Sequence, residues 1–228
     1  MRWVILAQLA GDGKSFPNPP LEYFRRGARI EAMLDKNRYA LKEWAVVVRL
    51  LGKGDQVILP RRGGILEQKR GFSDEHREFF LFPTYSHESE EELIPPIRGE
   101  LAQAVGGSSP PDEVWLDYYA TVEEAFWIGE LSLLGKLDGL HALTWSAAEE
   151  RFHYRRPGLS VLALRVFRLP ATLKIPNTPR YNGCVSWVEL DAPLPTEGAT
   201  PVLTDQAFAV KLGAIRAALA PVPAAPQH

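Results

Sequence analysis

SVLALRVFRL, residues 160–169, is apolar at odd and even positions alike, broken by two arginines. A strand with one wet face alternates apolar and polar residues. Apolar side chains on both faces mark a strand in the middle of a sheet, covered on each side. Such a strand needs neighbours, and the chain supplies short β-prone runs: QVILP (56–60), FFLFPTY (79–85), Val114 to Ala120 in DEVWLDYYATVEEAFWIG, and GCVSWVEL (183–190). It also needs covering helices. In ALKEWAVVVRLLGKGD (40–55), Leu41, Trp44, Ala45, Val48 and Leu51 recur at helical spacing, with Gly52 and Gly54 as stop signals. IRGELAQAVGG (97–107) reads as a brief helix. LTWSAAEERFHYRR (143–156) offers Ser146 and Glu149 as a capping box, as Ser89 and Glu92 do earlier. TDQAFAVKLGAIRAAL (204–219) sets Phe208, Leu212, Ile215 and Leu219 on one stripe. The order α-β-β-α-β-α-β-β-α implies an α+β fold, a mixed sheet with packed helices.

The body of the fold runs over residues 33–220 as a single domain. SSPPDE (108–113) is the clearest linker and allows two subdomains to meet near residues 106–112. Residues 1–32 differ in character: SFPNPPLEYF is proline-rich, no helical stripe forms, and amphipathic patterning starts just after Met33. They read as a non-native or loosely docked extension, and PVPAAPQH (221–228) as a disordered tail.

Apolar residues make up 46% and charged residues 24% of 228, an ordinary globular balance. No apolar run approaches bilayer length and no secretory leader is evident, so the expectation is a cytoplasmic protein without membrane contact. Cys184 is the only cysteine, which excludes an internal disulfide and a cysteine-based zinc cluster. In a strand it reads as packing rather than as a nucleophile. The net charge of −2 hides an asymmetry. Residues 151–188 hold Arg151, Arg155, Arg156, Arg165, Arg168, Lys174 and Arg180 and no acid, whereas residues 1–150 carry a balance of −7. Phe152, Tyr154, Phe167, Tyr181 and Trp187 are interleaved with those cations, the composition with which single-stranded nucleic acid is held. Arg155, Arg156, Lys174 and Arg180 are the candidate phosphate contacts. Arg165, inside an apolar strand, calls for a carboxylate partner such as Glu43 or Asp117. The alternative is that the block pairs internally with the acidic first part.

Ahead of the aromatic strand, RRGGI presents a second anion site: Gly63 and Gly64 let backbone N–H groups approach an oxyanion, and Arg61 and Arg62 add guanidinium forks. The Lys-Ser/Thr ending of a nucleotide P-loop is missing, as are G-x-S-x-G and G-x-G-x-x-G. A metal-dependent nuclease of the PD-(D/E)xK kind is the competing reading. Glu67 and Lys69 have the E-x-K spacing, and Glu43 (on the first helix) with Asp55 would complete a Mg²⁺ site with Glu67. His76 and His87 bracket the strand and stand too far apart to share one metal, and His141 and His153 could join them only through tertiary contact. His87, beside Thr84 and Tyr85, is the one candidate for proton transfer.

ALKEW (40–44), RRGGILE (61–67), Phe72 with HREFFLFPTYSH (76–87), LRVFRLP (164–170) and GCVSW (183–187) together resemble the bacterial and archaeal family called domain of unknown function 1802, over residues 34–190. In that family the turn reads Arg-Lys-Gly-Gly-Ile, so Arg62 replaces a lysine, and Glu88 stands where Gln follows the histidine. The resemblance implies no established activity. Its members' occurrence beside Mrr-type restriction-endonuclease domains implies a link to restriction–modification, by neighbourhood rather than mechanism. The readings that result are a DNA- or RNA-binding (or other polyanion-binding) module, a divalent-metal phosphodiesterase, and a structural or partner-binding domain with internally paired charges.

Overall fold

The computed structural model describes residues 33–62, 77–85, 89–154, 157–183 and 185–220, together with the backbone of 21–25; of Arg62, too, only the backbone is described. Eight strands form one mixed sheet, β1 Leu21–Arg25, β2 Lys36–Trp44, β3 Ile58–Arg62, β4 Glu78–Thr84, β5 Glu113–Ile128, β6 Leu159–Pro176, β7 Trp187–Pro195 and β8 Thr200–Pro201. Among the described residues five α-helices accompany it: α1 Ala45–Lys53, α2 Pro95–Gly106, α3 Leu131–Gly135, α4 Trp145–His153 and α5 Asp205–Leu219. The fold is α+β. The main path through the sheet is β3-β6-β5-β4-β2-β7, with β1 added to β5 and β8 to β6. Pairing is antiparallel except between β2 and β4. No helix among the described residues is long and apolar enough to cross a membrane.

β6 has the two covered faces that SVLALRVFRL requires. Leu162, Leu164 and Val166 join the cluster formed with α1, while Leu159, Val161 and Ala163 join the one formed with α4 and α5. Each fully buried leucine contributes about 2 kcal/mol. Past Val166 burial falls off, and the end of β6 continues with the start of β5 as a ribbon, Trp115 opposite Lys174. A third cluster lies under this ribbon and includes Phe80, Phe82, Leu116, Tyr119, Tyr181 and Val188. The α5 stripe is as expected: Phe208, Leu212, Ile215 and Leu219 are all buried.

Four local expectations are corrected. Residues 40–44 are strand, so Glu43 stands on β2 and α1 begins only at Ala45. Ala, Leu, Lys and Glu favour helix by intrinsic propensity, but β2 pairs with β4 on one edge and β7 on the other, and these two ladders outweigh that preference. Arg61 and Arg62 belong to β3 rather than to a turn. β5 runs sixteen residues, well beyond Ala120. Neither capping box forms. Thr144 caps α4, its hydroxyl accepting from the Ala147 N–H, and Ser89 precedes a 3₁₀ turn at Glu90–Glu92 without a side-chain bond. In the N-terminal segment, β1 pairs antiparallel with Glu124–Ile128.

Two buried polar arrangements hold the elements in register. At the start of β4, Glu78 accepts from the Leu34 N–H (3.0 Å) and the Tyr119 hydroxyl (3.1 Å), and that hydroxyl accepts from Asn37 (2.8 Å). Glu124 on β5, 1% exposed, is held by Arg216 of α5, whose Nε lies 2.9 and 3.2 Å from its two oxygens. The sheet also curls until its first strand on the path meets its fifth: Arg61 of β3 donates to the Lys42 carbonyl of β2 at 3.0 Å.

Candidate ligand cleft

Where β2 and β4 end side by side, β2 gives way directly to α1, and the chain leaves β4 at Tyr85. A cleft of about 660 Å³ opens there, inside the ~300–1,000 Å³ range of small-molecule sites. Its walls come from Lys42–Trp44, Pro60 and Arg61, Phe82–Tyr85, Glu92, Arg151, the 109–114 connection, Asn177 and residues 181–183, 185 and 186.

Glu43 and Arg61 form a wall of the cleft. The Arg61 Nη1 lies 2.6 Å from the Glu43 Oε2, with side-chain exposures of 15% and 8%. The other carboxylate oxygen accepts from the Trp44 N–H at 2.9 Å. Thr84 donates its hydroxyl to the Glu43 carbonyl at 3.2 Å, which stitches the ends of β2 and β4. In the same lining, Arg151 of α4 lies over the Trp44 ring, 4.8 Å from its centroid, and pairs with Glu92 at 3.1 Å. Lys42 pins the loop of residues 181–186. Its N–H donates to the Ser186 carbonyl at 2.8 Å, and its ammonium donates to the Tyr181 and Gly183 carbonyls over the Phe82 ring. Among the described residues of the lining, Lys42, Arg61 and Arg151 are matched in number by Glu43, Glu92 and Glu113.

Apart from Asp55, the predicted site residues divide into three groups. Arg61 and Glu43 are brought together and line the cleft. Lys174 and Arg180 lie outside it but on the segments that feed its wall; Lys174 sits over Trp115 at 4.6 Å, and exposed Arg180 pairs with Asp191 at 3.1 Å. Glu67, Lys69, Gly63, Gly64, His76, His87, Arg155, Arg156 and Cys184 fall outside the described residues, as does the Arg62 side chain.

The proposed metal ligands Glu43 and Asp55 do not meet. They stand at opposite ends of α1, whose nine residues rise about 13 Å, and Asp55 is exposed and absent from the cleft wall. Among the described residues no group of three or more His, Cys, Asp or Glu side chains is placed to hold a metal. Arg165 pairs with Asp205 at 2.5 Å and covers Phe208, rather than pairing with Glu43 or Asp117. His153 packs edge-on to Phe152. His141 is buried at 4% exposure, its Nδ1 has no hydrogen-bond partner among the described residues, and burial pushes its imidazole pKa down.

Sequence reasoning did not bring together Arg151 and Trp44, which meet in the cleft wall. Trp44 was assigned to a helix stripe and Arg151 was one cation among seven; no local pattern links residues 107 positions apart.

The family model for a domain of unknown function, DUF1802, matches residues 40–213. The chain belongs to the DUF1802 family. All of the described cleft wall lies inside that match, so the cleft belongs to the DUF1802 region and not to the flanking segments. No curated protein matches the chain. Among solved structures, a ZmASCH mutant protein from Zymomonas mobilis aligns at 12% identity over 80% of this chain and 99% of its own, with a TM-score of 0.39, too low to carry an argument about fold or function.

Proposed function

We propose that this DUF1802 protein is a cytoplasmic nucleic-acid-binding module whose recognition site is the cleft at the ends of β2 and β4. The observation that carries this reading is the Arg151 guanidinium lying over the Trp44 ring in the wall of a nucleotide-sized cleft, with the Arg61–Glu43 pair also in that wall. Guanidinium planes and aromatic rings are the surfaces on which unstacked bases are held, and a charged hydrogen-bonding pair is suited to a base edge. Exposed Lys174 and Arg180, on segments that run into the cleft wall, supply phosphate contact. A restriction–modification or defence setting rests on the family's reported gene neighbourhood alone.

A second reading has one observation in its favour. Much of the basic block is paired within the fold, Arg151 to Glu92, Arg165 to Asp205 and Arg180 to Asp191, as a structural or partner-binding domain would have it. Oligonucleotide binding followed by fluorescence anisotropy separates the two. Nucleic-acid binding predicts affinity that falls with rising salt, and a shallower salt slope in the Lys174→Glu/Arg180→Glu double variant. Absence of binding at low salt leaves the structural reading.

A further inference from the structure

We infer that the cleft takes the unpaired base of a single strand, with the phosphate left outside, so that the protein discriminates single-stranded from duplex nucleic acid. This rests on the nucleic-acid reading above and makes it specific. The first argument is charge. Among the described residues of the lining, three cations are matched by three carboxylates, two of them already paired at 2.6 and 3.1 Å. A phosphate entering this wall would meet Glu43 and Glu92 beside each guanidinium, and its attraction would be largely cancelled. A neutral, planar group with donors and acceptors on its edge meets no such opposition.

The second argument is shape. In the cleft wall the Arg151 guanidinium lies over the Trp44 ring and pairs with Glu92, which places a planar cation and an aromatic ring side by side in the lining. Arg61 offers donors beside the acceptor oxygens of Glu43, and a base edge presents the complementary pair. The third argument is access. Inside a duplex the base faces are stacked and the pairing edges occupied, so a cleft in a protein wall can receive only a base that is already unpaired or is turned out at a cost of a few kcal/mol. Exposed Lys174 and Arg180, near in sequence to the wall residues Asn177 and Tyr181, are then the cations to contact the phosphates of a strand with one base inserted.

The test titrates the full chain with uncharged nucleosides and, separately, with ribose 5-phosphate, by calorimetry. It then compares a single-stranded oligonucleotide with its duplex. The expected results are nucleoside binding that is nearly independent of salt, weaker binding of ribose 5-phosphate, and a preference for the single strand. Arg151→Ala weakens nucleoside binding roughly tenfold. Arg151→Lys retains the charge and the Glu92 partner but loses the planar surface, and it weakens binding as well. If Arg151→Ala does not fold, Arg151→Lys and the wild-type comparison still decide. Ribose 5-phosphate binding without nucleoside binding overturns the inference and leaves the nucleic-acid reading intact. Equal affinity for single strand and duplex does the same. No binding of any oligonucleotide overturns both.

Discussion

Removing the Arg61 side chain tests whether the cleft wall is held by its ion pair. In Arg61→Met the Glu43 carboxylate, 8% exposed, keeps only the Trp44 N–H among the described residues, and the β3-to-β2 bond to the Lys42 carbonyl is lost as well. Leaving one member of a buried pair uncompensated costs about 3–5 kcal/mol, and the modest exposure of Arg61 places the expectation at the lower end, about 3 kcal/mol. For a chain of this size that corresponds to a fall in Tm of roughly 6–12 °C. Glu43→Gln keeps an acceptor for the guanidinium and costs about 2 kcal/mol. In the double variant no buried charge is left unpaired, so its cost stays near 3 kcal/mol instead of reaching the sum, a coupling of about 2 kcal/mol. Urea denaturation of the four proteins measures the cycle. Single-variant costs that add to within about 0.5 kcal/mol would refute the claim that this pair is one energetic unit.

Two further predictions concern the scaffold. Thr144→Ala removes the cap of α4 and costs about 1 kcal/mol in urea unfolding, whereas Ser146→Ala is near neutral; the reverse order would restore the capping-box reading. Stability drops as pH falls below the ordinary imidazole value of 6.5, because burial lowers the folded-state pKa of His141 and the unfolded chain then binds the extra proton. Arg151 disfavours the charged imidazole and Asp138 favours it, but burial is the largest influence. His141→Leu flattens that part of the urea-unfolding pH profile, and an unchanged slope would show that another group is responsible.

What could be read in the chain follows from how local each signal is. β6 was legible because a strand covered on both faces must be apolar at every position, and α5 because four buried residues recur at helical spacing. β2 was not, since its residues favour helix in isolation and become strand only through partners about 40 and 150 positions away. The basic block was visible as composition, yet its pairing to Glu92, Asp205, Glu189 and Asp191 is a property of the fold. Of the cleft, Arg61 reads in the sequence as part of a glycine turn, whereas it stands near the end of a strand and reaches across to Glu43. Glu43 was picked as a metal ligand and is instead an arginine partner. Thr84 and Tyr85 entered only as neighbours of His87, and Glu92 only as half of a capping box.

The most direct measurement is to find where a bound strand touches the protein. A single-stranded oligonucleotide carrying a photoreactive base is irradiated in complex with the full chain, and the adduct is located by mass spectrometry. The cleft account predicts adducts on peptides containing Trp44, Tyr85 or Arg151, reduced in Arg151→Ala. Adducts confined to α2 or α5, or no adduct at an oligonucleotide concentration that saturates binding, would contradict it.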